Sequence, residues 1–432
     1  MASDLTLDKI VALCKRRGFV FPSAEIYGGI NGVYDFGPLG AQMRNNIKNF
    51  WIKSIKSNHD VVLIDGSILG PEKVWTASGH IDNFSDPMVD CQQCKKRYRA
   101  DEIDINKSCP NCGRKNWTDV RQFHMMFKTQ LGALEGHSQN AYLRPETAQA
   151  IFINFKNIIT SSRVKMPFGI AQIGKAFRNE ITPKQFLFRM REFEQMEMEF
   201  FCKAEDSEQF FTEWLKERIA FYDSIGVDKN KLRQKEHSKE DLAHYAKMAT
   251  DIEYNFPFGW KELEGIHHRS DFDLKQHIEL SGKDLSVFDE ESKQSYVPYV
   301  IECSVGLDRL FLTLLFDSYC EDTVEGETRT VLKLNPKISP IKAAILPLTK
   351  KQVESAQKIY NELKQNYEVT LDVSGSIGKR YRRQDEIGTP ICFTYDFDSD
   401  TDNKVTVRDR DTTKQERISI DHISDYLNKI LK

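Results

Sequence analysis

The chain has 432 residues, 29% of them charged, a formal net charge of −3 and nine cysteines. Such a length holds roughly two to three domains with a sizeable core. A balance so near neutrality excludes a whole-chain polyanion-binding character, while leaving room for a local basic surface such as Lys379-Arg380-Tyr381-Arg382-Arg383. No run is apolar for long enough to span a bilayer and the start is not a signal peptide; with an odd cysteine count, this points to a reducing, cytoplasmic setting.

In chain order, the opening residues up to Phe19 read as an amphipathic helix, and residues 18–40 are dense in glycine and aromatics, as turns against a packed surface are. Leu39 to Lys56 shows helical spacing, with Leu39, Met43, Ile47, Phe50, Trp51 and Ile55 on one apolar stripe. Val61 to Ile64 follows as a strand, closed at Gly70-Pro71. Cys91, Cys94, Cys109 and Cys112 form a C-x2-C-x14-C-x2-C array. Two tight knuckles of this kind bring four thiolates to a tetrahedral zinc site with no open position, so a structural metal is expected rather than four free thiols. A helix is expected from Ala148 to Ile159, with Thr147 as its N-cap.

Phe168 to Phe201 reads as two strands around a loop rich in Arg, Lys, Phe and Pro. By strand parity Phe193, Gln195, Glu197 and Glu199 share one face, and Glu194, Met196, Met198 and Phe200 the other. Arginines at the mouth and carboxylates along one strand suit a ligand with a phosphate end and an ammonium end. An ordinary amphipathic hairpin with solvated charges has the same pattern.

Residues 205–250 read as largely helical, with Phe211, Trp214, Leu215, Ile219 and Tyr222 on one stripe before the segment turns polar. His267-His268 lacks the spacing of a hydrolytic metal site. Tyr299 to Val305 reads as a strand with Glu302 and Ser304 on one face and Ile301, Cys303 and Val305 on the other. It runs into a helix from Gly306 that carries Asp308 and Arg309 in its first turn. Residues 335–340 read as a linker, after which strands and helices alternate in a small α/β domain.

Arg178, followed two residues later by Glu180, resembles motif 2 of the class II aminoacyl-tRNA synthetases. The helix, strand and proline of residues 39–71 resemble motif 1, the dimer-forming element, and the strand and helix of residues 299–315 resemble motif 3. Tyr34-Asp35-Phe36-Gly37-Pro38-Leu39-Gly40, with the strings YLRPETAQ, FRNE, REFEQME and KELEGI, is similar to the glycyl-tRNA synthetase family, and the likeness covers nearly the whole chain. The resemblance implies an α+β class II catalytic domain with an antiparallel sheet over residues 1–336. It also implies a zinc-knuckle insertion at about 88–140, a helical insertion at about 205–250 over the active-site cleft, and a C-terminal α/β anticodon-binding domain at 337–432.

The implied activity is the ATP- and Mg2+-dependent conversion of glycine to glycyl-adenylate, then transfer to the 3′ end of tRNA(Gly), by a homodimer with no membrane partner. Carried over residue by residue, Arg178 falls on the α-phosphate and carboxylate and Arg309 on the γ-phosphate. ATP contacts fall on Arg178, Asn179, Glu180, Phe188, Arg189, Met190, Arg191, Glu192, Phe193 (stacked on adenine), Glu262, Leu263, Gly306, Leu307, Asp308 and Arg309. Glycine contacts fall on Arg99, Glu146, Phe193, Glu194, Gln195, Met196, Glu197, Glu302, Cys303, Ser304, Val305 and Gly306. The metal ligands are Cys91, Cys94, Cys109 and Cys112. By itself Arg99 is equally a surface charge. Cys303 stands where the family usually has proline, and its parity aims it away from the pocket, so a packing variation is expected there. Basic residues at Lys379–Arg383 and Arg408–Arg417 are candidates for anticodon contacts.

Threonyl-, prolyl- and histidyl-type enzymes share these motifs and the tail, but the acidic strings and YDFGPLG argue against them. A non-catalytic descendant of the scaffold is expected to lose the motif arginines, which are both present here, and a zinc-dependent nucleic-acid module accounts only for residues 88–116.

Overall fold

Strands Phe168–Phe177 and Glu192–Cys202 pair antiparallel at the heart of a seven-stranded sheet. From one edge its order is Leu232–Glu236, Met248–Phe256, Gly259–Ser270, Tyr299–Gly306, Glu192–Cys202, Phe168–Phe177 and Val61–Leu63. Every pair is antiparallel except the last. The computed structural model describes residues 5–132, 139–240, 242–243, 245–324 and 326–432. Residues 1–4 of the opening segment, 133–138 of the expected knuckle insertion, and 241 and 244 of the expected helical insertion lie outside the described residues. No helix among the described residues is long and apolar enough to cross a membrane.

The sheet's two faces have different fates. Met196, Met198, Cys303 and Val305 point to the back, into one cluster with Met43, Ile47, Trp51, Trp214 and Phe311. Those partners come from helices Pro38–Ile55, Ser207–Ile225 and Leu307–Ser318. Burying a side chain as large as Trp51 or Trp214 completely, as here, contributes about 1.5–3 kcal/mol each before the entropy of ordering is subtracted. Pro38 opens its helix at a position where a missing N–H costs nothing. Gly40 is obligatory at the helix–strand contact, because a Cβ there would stand 1.9 Å from the Phe19 carbonyl oxygen.

On the front, helices Ala148–Ser162 and Phe272–Ser281 cover only one end, packing Phe152, Phe155 and Leu274 over Phe168 and Phe201. The remaining front face is left as a cavity floored by Gln195, Glu197, Glu302 and Ser304. The register puts Glu197 opposite Ser304, Gln195 opposite Gly306 and His267 opposite Glu302.

Two expectations need correction. Among the described residues of 205–250 the α-helix covers Ser207–Ile225 alone, and that helix packs behind the sheet, with buried Arg218 and Tyr222 both bonded to Glu264 at 2.6 Å. The polar stretch beyond it forms the edge strand Leu232–Glu236, whose alternating charges suit an exposed edge. Thr147 does not cap the next helix with its side chain; its hydroxyl donates to Glu197 instead.

The C-terminal unit is a five-stranded sheet in the order Val369–Leu371, Ala343–Pro347, Ile391–Tyr395, Lys404–Asp409 and Gln415–Ser419. It joins the first unit through buried charges. Arg329 of the hairpin Tyr319–Leu332 donates to Asp385 Oδ2 at 3.0 Å, and Arg408 donates to the same carboxylate at 2.8 and 3.1 Å.

Candidate active site

Arg178 and Arg309 lie 131 positions apart in the chain, yet both line one cavity of about 170 Å³ that is partly open to solvent. Arg178 leaves the end of strand Phe168–Phe177, donates from Nε to the Pro145 carbonyl at 3.1 Å, and lies between the rings of Phe84 and Phe193, 5.4 and 5.2 Å from their centroids. Arg309 rises from the first turn of helix Leu307–Ser318. It sits 4.5 Å from the Phe188 ring centroid, donates to the Phe188 and Glu262 carbonyls at 3.3 and 3.2 Å, and is 3.2 Å from the Glu262 carboxylate. Aromatic and carbonyl contacts of this kind fix the direction of a guanidinium while leaving N–H groups for a ligand.

The opposite end is acidic. Glu197 accepts from the Thr147 backbone N–H at 2.8 Å, from the Thr147 hydroxyl, from Gln195 Nε2 at 2.9 Å and from the Ser304 hydroxyl at 2.8 Å. Burial, with Glu146 and Glu302 nearby, raises its pKa to about 7. Glu302 is also buried, but Arg269 Nη1 at 2.9 Å and His267 Nδ1 at 2.5 Å hold it below the usual carboxylate range. Burial works against the Glu146 charge as well, and His80, with Nε2 at 3.2 Å, together with Gln149 at 3.0 Å, brings it below that range. Glu199, the next front-face residue, is fully buried with both oxygens unpartnered, and burial drives its pKa well up. An uncharged Glu199 follows, since an unpaired buried carboxylate beside Glu302 is far costlier than the acid. The site thus pairs an end lined by two guanidinium groups with a buried anionic niche.

Residues 127–319 match the tRNA synthetase class II core domain (G, H, P, S and T), and residues 342–430 match the anticodon binding domain. Curated relatives align along essentially their whole length. The glycine–tRNA ligase of Caldanaerobacter subterraneus subsp. tengcongensis is 52% identical, with 100% of both chains covered. That of Geobacillus thermodenitrificans is 50% identical, covering 98% of this chain and 97% of its own, and that of Treponema denticola is 52% identical, covering 96% and 94%. The chain belongs to the glycine–tRNA ligase family.

Within this glycine–tRNA ligase fold, the cavity brings together Glu146, Arg178, Glu180, Phe188, Arg189, Met190, Phe193, Gln195, Glu197, Glu262, Glu302, Ser304, Gly306, Asp308 and Arg309 of the expected residues. Others stand off it. Met196, Cys303 and Val305 project from the back of the sheet into the core, and Leu263 and Leu307 are buried in the same cluster. Glu194 also faces away, where Arg44 and Lys48 hold its carboxylate. The one-residue alternation of a strand forces this, and Cys303 is a packing residue as its parity indicates. Asp308, at the cavity wall, is engaged by Arg44 and by the Glu194 backbone N–H.

The Arg191 guanidinium donates to the Glu180 and Asn31 carbonyls at 2.9 and 2.7 Å, and Glu192 pairs with Lys175 at 2.7 Å, so neither side chain lines the cavity. Asn179 lies beside it, its backbone N–H bonded to the Met125 carbonyl at 2.7 Å. Arg99 is held by Asp86 and Asp101 at 2.9 and 2.8 Å, and its charge reaches Glu180 at the mouth.

Sequence reading missed His80, Phe84, Tyr245, Gly265, His267 and Arg269. His267 was legible by parity, since on a strand it and His268 must face opposite ways; His268 is buried against Ser207. Gly265 is required because a Cβ would stand 2.6 Å from His267 Cε1. The knuckles close as well: Sγ of Cys91 and Cys112 are 3.6 Å apart, those of Cys94 and Cys109 3.7 Å, and all four lie within 4.8 Å of one another.

Proposed function

We propose that this protein activates glycine with ATP, forming glycyl-adenylate and pyrophosphate, and transfers the glycyl group to the 3′ end of tRNA(Gly), as its family membership indicates. The observation that carries the residue roles is the shared cavity: two guanidinium groups at one end, and Glu146, Glu197, Glu302 and Ser304 at the other.

The substrate carboxylate is already ionised, so no general base is needed for the first step. Its oxygen attacks the α-phosphorus while the bond to the β-phosphate breaks, and the protein contributes positioning and charge neutralisation. Arg178 holds the α-phosphate and the carboxylate together, Arg309 holds the γ-phosphate, and Phe193 stacks on adenine. The ribose hydroxyl of the tRNA then attacks the carbonyl carbon, and AMP leaves. Glu180 and Glu262, which line that end of the cavity, would offer the hard oxygen donors for a magnesium ion, which would neutralise phosphate charge there.

Glycine offers no side chain to grip. The niche instead reads the ammonium with Glu146, Glu197, Glu302 and Ser304, and excludes bulk, an extra methyl in a packed site costing about 1–3 kcal/mol. Alanine is refused on that ground.

The four cysteines hold a structural zinc. Bonds of about 2.3 Å in a tetrahedron separate sulfurs by about 3.8 Å, close to the 3.6 Å of Cys91–Cys112 and the 3.7 Å of Cys94–Cys109. Two copies associate through the motif 1 side, a reading supported by the terminal strand Val61–Leu63 and by Leu63, Ile68 and Leu69, all exposed nearby.

In the C-terminal unit the arginines first considered for the anticodon are engaged within the protein. Arg380 donates to the Pro347 and Asp372 carbonyls, Arg383 pairs with Asp372, Arg408 with Asp385, and Arg417 with Asp396 and Asp402. Phe397, exposed at the carboxyl ends of the parallel strands beside Thr349, Lys350 and Lys351, is the better platform for a single-stranded loop. The activity sets the protein in the cytoplasm. The deciding test is pyrophosphate exchange across the twenty amino acids, followed by charging of tRNA(Gly); exchange that does not single out glycine overturns the reading.

A further inference from the structure

One short segment outside the motifs reaches both ends of the cavity. Helix Glu72–Ala77 ends at Ser78, Gly79 turns the chain at φ 77°, and the four-residue helix His80–Asn83 leads directly into Phe84. Trp75, buried, anchors the segment, with the His80 ring 5.6 Å away edge-on and the Phe84 ring 5.5 Å beyond it.

Both nitrogens of the His80 ring have a partner. Nε2 lies 3.2 Å from Glu146 Oε2, and Nδ1 lies 2.8 Å from Ser78 Oγ, which is also 3.3 Å from the Trp75 carbonyl oxygen. The second oxygen of Glu146 accepts from Gln149 Nε2 at 3.0 Å, so each oxygen has one holder and the carboxylate has a single orientation. Phe84, four residues on, supplies one of the two rings flanking Arg178.

We propose that His80 is a positioning residue for amino-acid recognition: it fixes the Glu146 carboxylate that meets the substrate ammonium, and its segment ties that carboxylate to the aromatic support of Arg178. The proposal rests on the reading that this end of the cavity receives glycine. Side chains on catalytic loops gain precision when a neighbour fixes their rotamer, and losing that neighbour weakens ground-state and transition-state contacts to the same group alike. The expected signature is therefore a rise in KM with little change in kcat.

The test is glycine-dependent pyrophosphate exchange with H80A, H80Q, S78A and E146Q, and with the double variant H80A/E146Q. H80A is expected to raise KM for glycine about tenfold, while KM for ATP and kcat move less than about threefold. H80Q, whose amide N–H reaches the same carboxylate, recovers most of the loss; S78A shows a smaller shift in the same direction. In the E146Q background the H80A change adds little, because the group it positions is already altered. A folded H80A enzyme with unchanged KM for glycine overturns the proposal, as do full additivity of H80A with E146Q and an H80Q enzyme no better than H80A. Should H80A not fold, S78A and H80Q carry the same decision. Absence of glycine-dependent exchange in the unaltered enzyme would instead remove the reading on which the proposal rests.

Discussion

The Ser304 hydroxyl donates to Glu197 Oε1 at 2.8 Å across two strands whose register places the two residues directly opposite. Ser304→Ala removes that donor and the volume of the hydroxyl while Thr147 and Gln195 still hold Glu197. One neutral-to-charged hydrogen bond corresponds to about 1.5–3 kcal/mol at most, less where other donors remain. KM for glycine is expected to rise about three- to tenfold, with a fall in glycine-over-alanine discrimination of similar size. Exchange assays with both amino acids check this; an unchanged ratio would show that Ser304 does not set selectivity.

Glu197 gives the site a pH dependence. With its pKa at about 7 in the free site, it is protonated below that value, and the substrate ammonium requires the ionised form. KM for glycine therefore rises as pH falls below about 7, by up to tenfold per unit, and is level above it. Folding carries the same raised pKa in another way: the contribution is fully present below the ordinary value of 4.5 and is lost as pH climbs through about 7. Glu197→Gln should flatten the KM profile; a wild-type profile already flat across that window contradicts the assignment.

Arg178→Ala is expected to reduce adenylate formation by about a thousandfold or more, as loss of a guanidinium on a transferring phosphoryl group does. Arg178→Lys recovers little, because one ammonium cannot span phosphate and carboxylate as a planar fork can. Arg309→Ala should act through ATP, raising its KM as well as slowing the step. Single-turnover adenylate assays separate the two, and normal exchange by Arg178→Ala would refute its role.

Metal analysis should find one zinc per chain, and Cys94→Ser should lose it. The consequence is local: amide exchange should rise in strands Ser85–Asp90 and Arg97–Arg99, which flank the knuckles, with little change in the seven-stranded sheet. Full protection without metal would mean that the thiols alone suffice.

Phe397→Ala is expected to raise KM for tRNA about tenfold, as loss of one stacked base does, while leaving glycine-dependent exchange intact. Arg408→Ala should behave differently, lowering stability by about 3–5 kcal/mol because Asp385 loses a buried partner. Thermal unfolding beside tRNA charging distinguishes the two; parallel losses in both variants would argue against a surface role for Phe397.

Much of this was legible in advance for a local reason. The stripe Met43, Ile47, Trp51 and Ile55 fixed a helix face, parity split Glu197 from Met196, and paired cysteine knuckles need only a few residues to state their chemistry. The polar run after Ile225 misled because a charged sequence is compatible with a helix surface and with a sheet edge, and only pairing with Met248–Phe256 decided for the edge.

By itself, then, the sequence determined the periodic elements, the four-cysteine array and the motif residues, because each is encoded by neighbours along the chain. Tertiary structure alone decided that Arg178 and Arg309 enter one cavity, that His80 meets Glu146 and that Arg380 and Arg408 turn inward, because those contacts join residues apart in the chain. Burial raised the pKa of Glu197 and Glu199 while Arg269, His267 and His80 lowered those of Glu302 and Glu146, and both burial and pairing are properties of the folded whole.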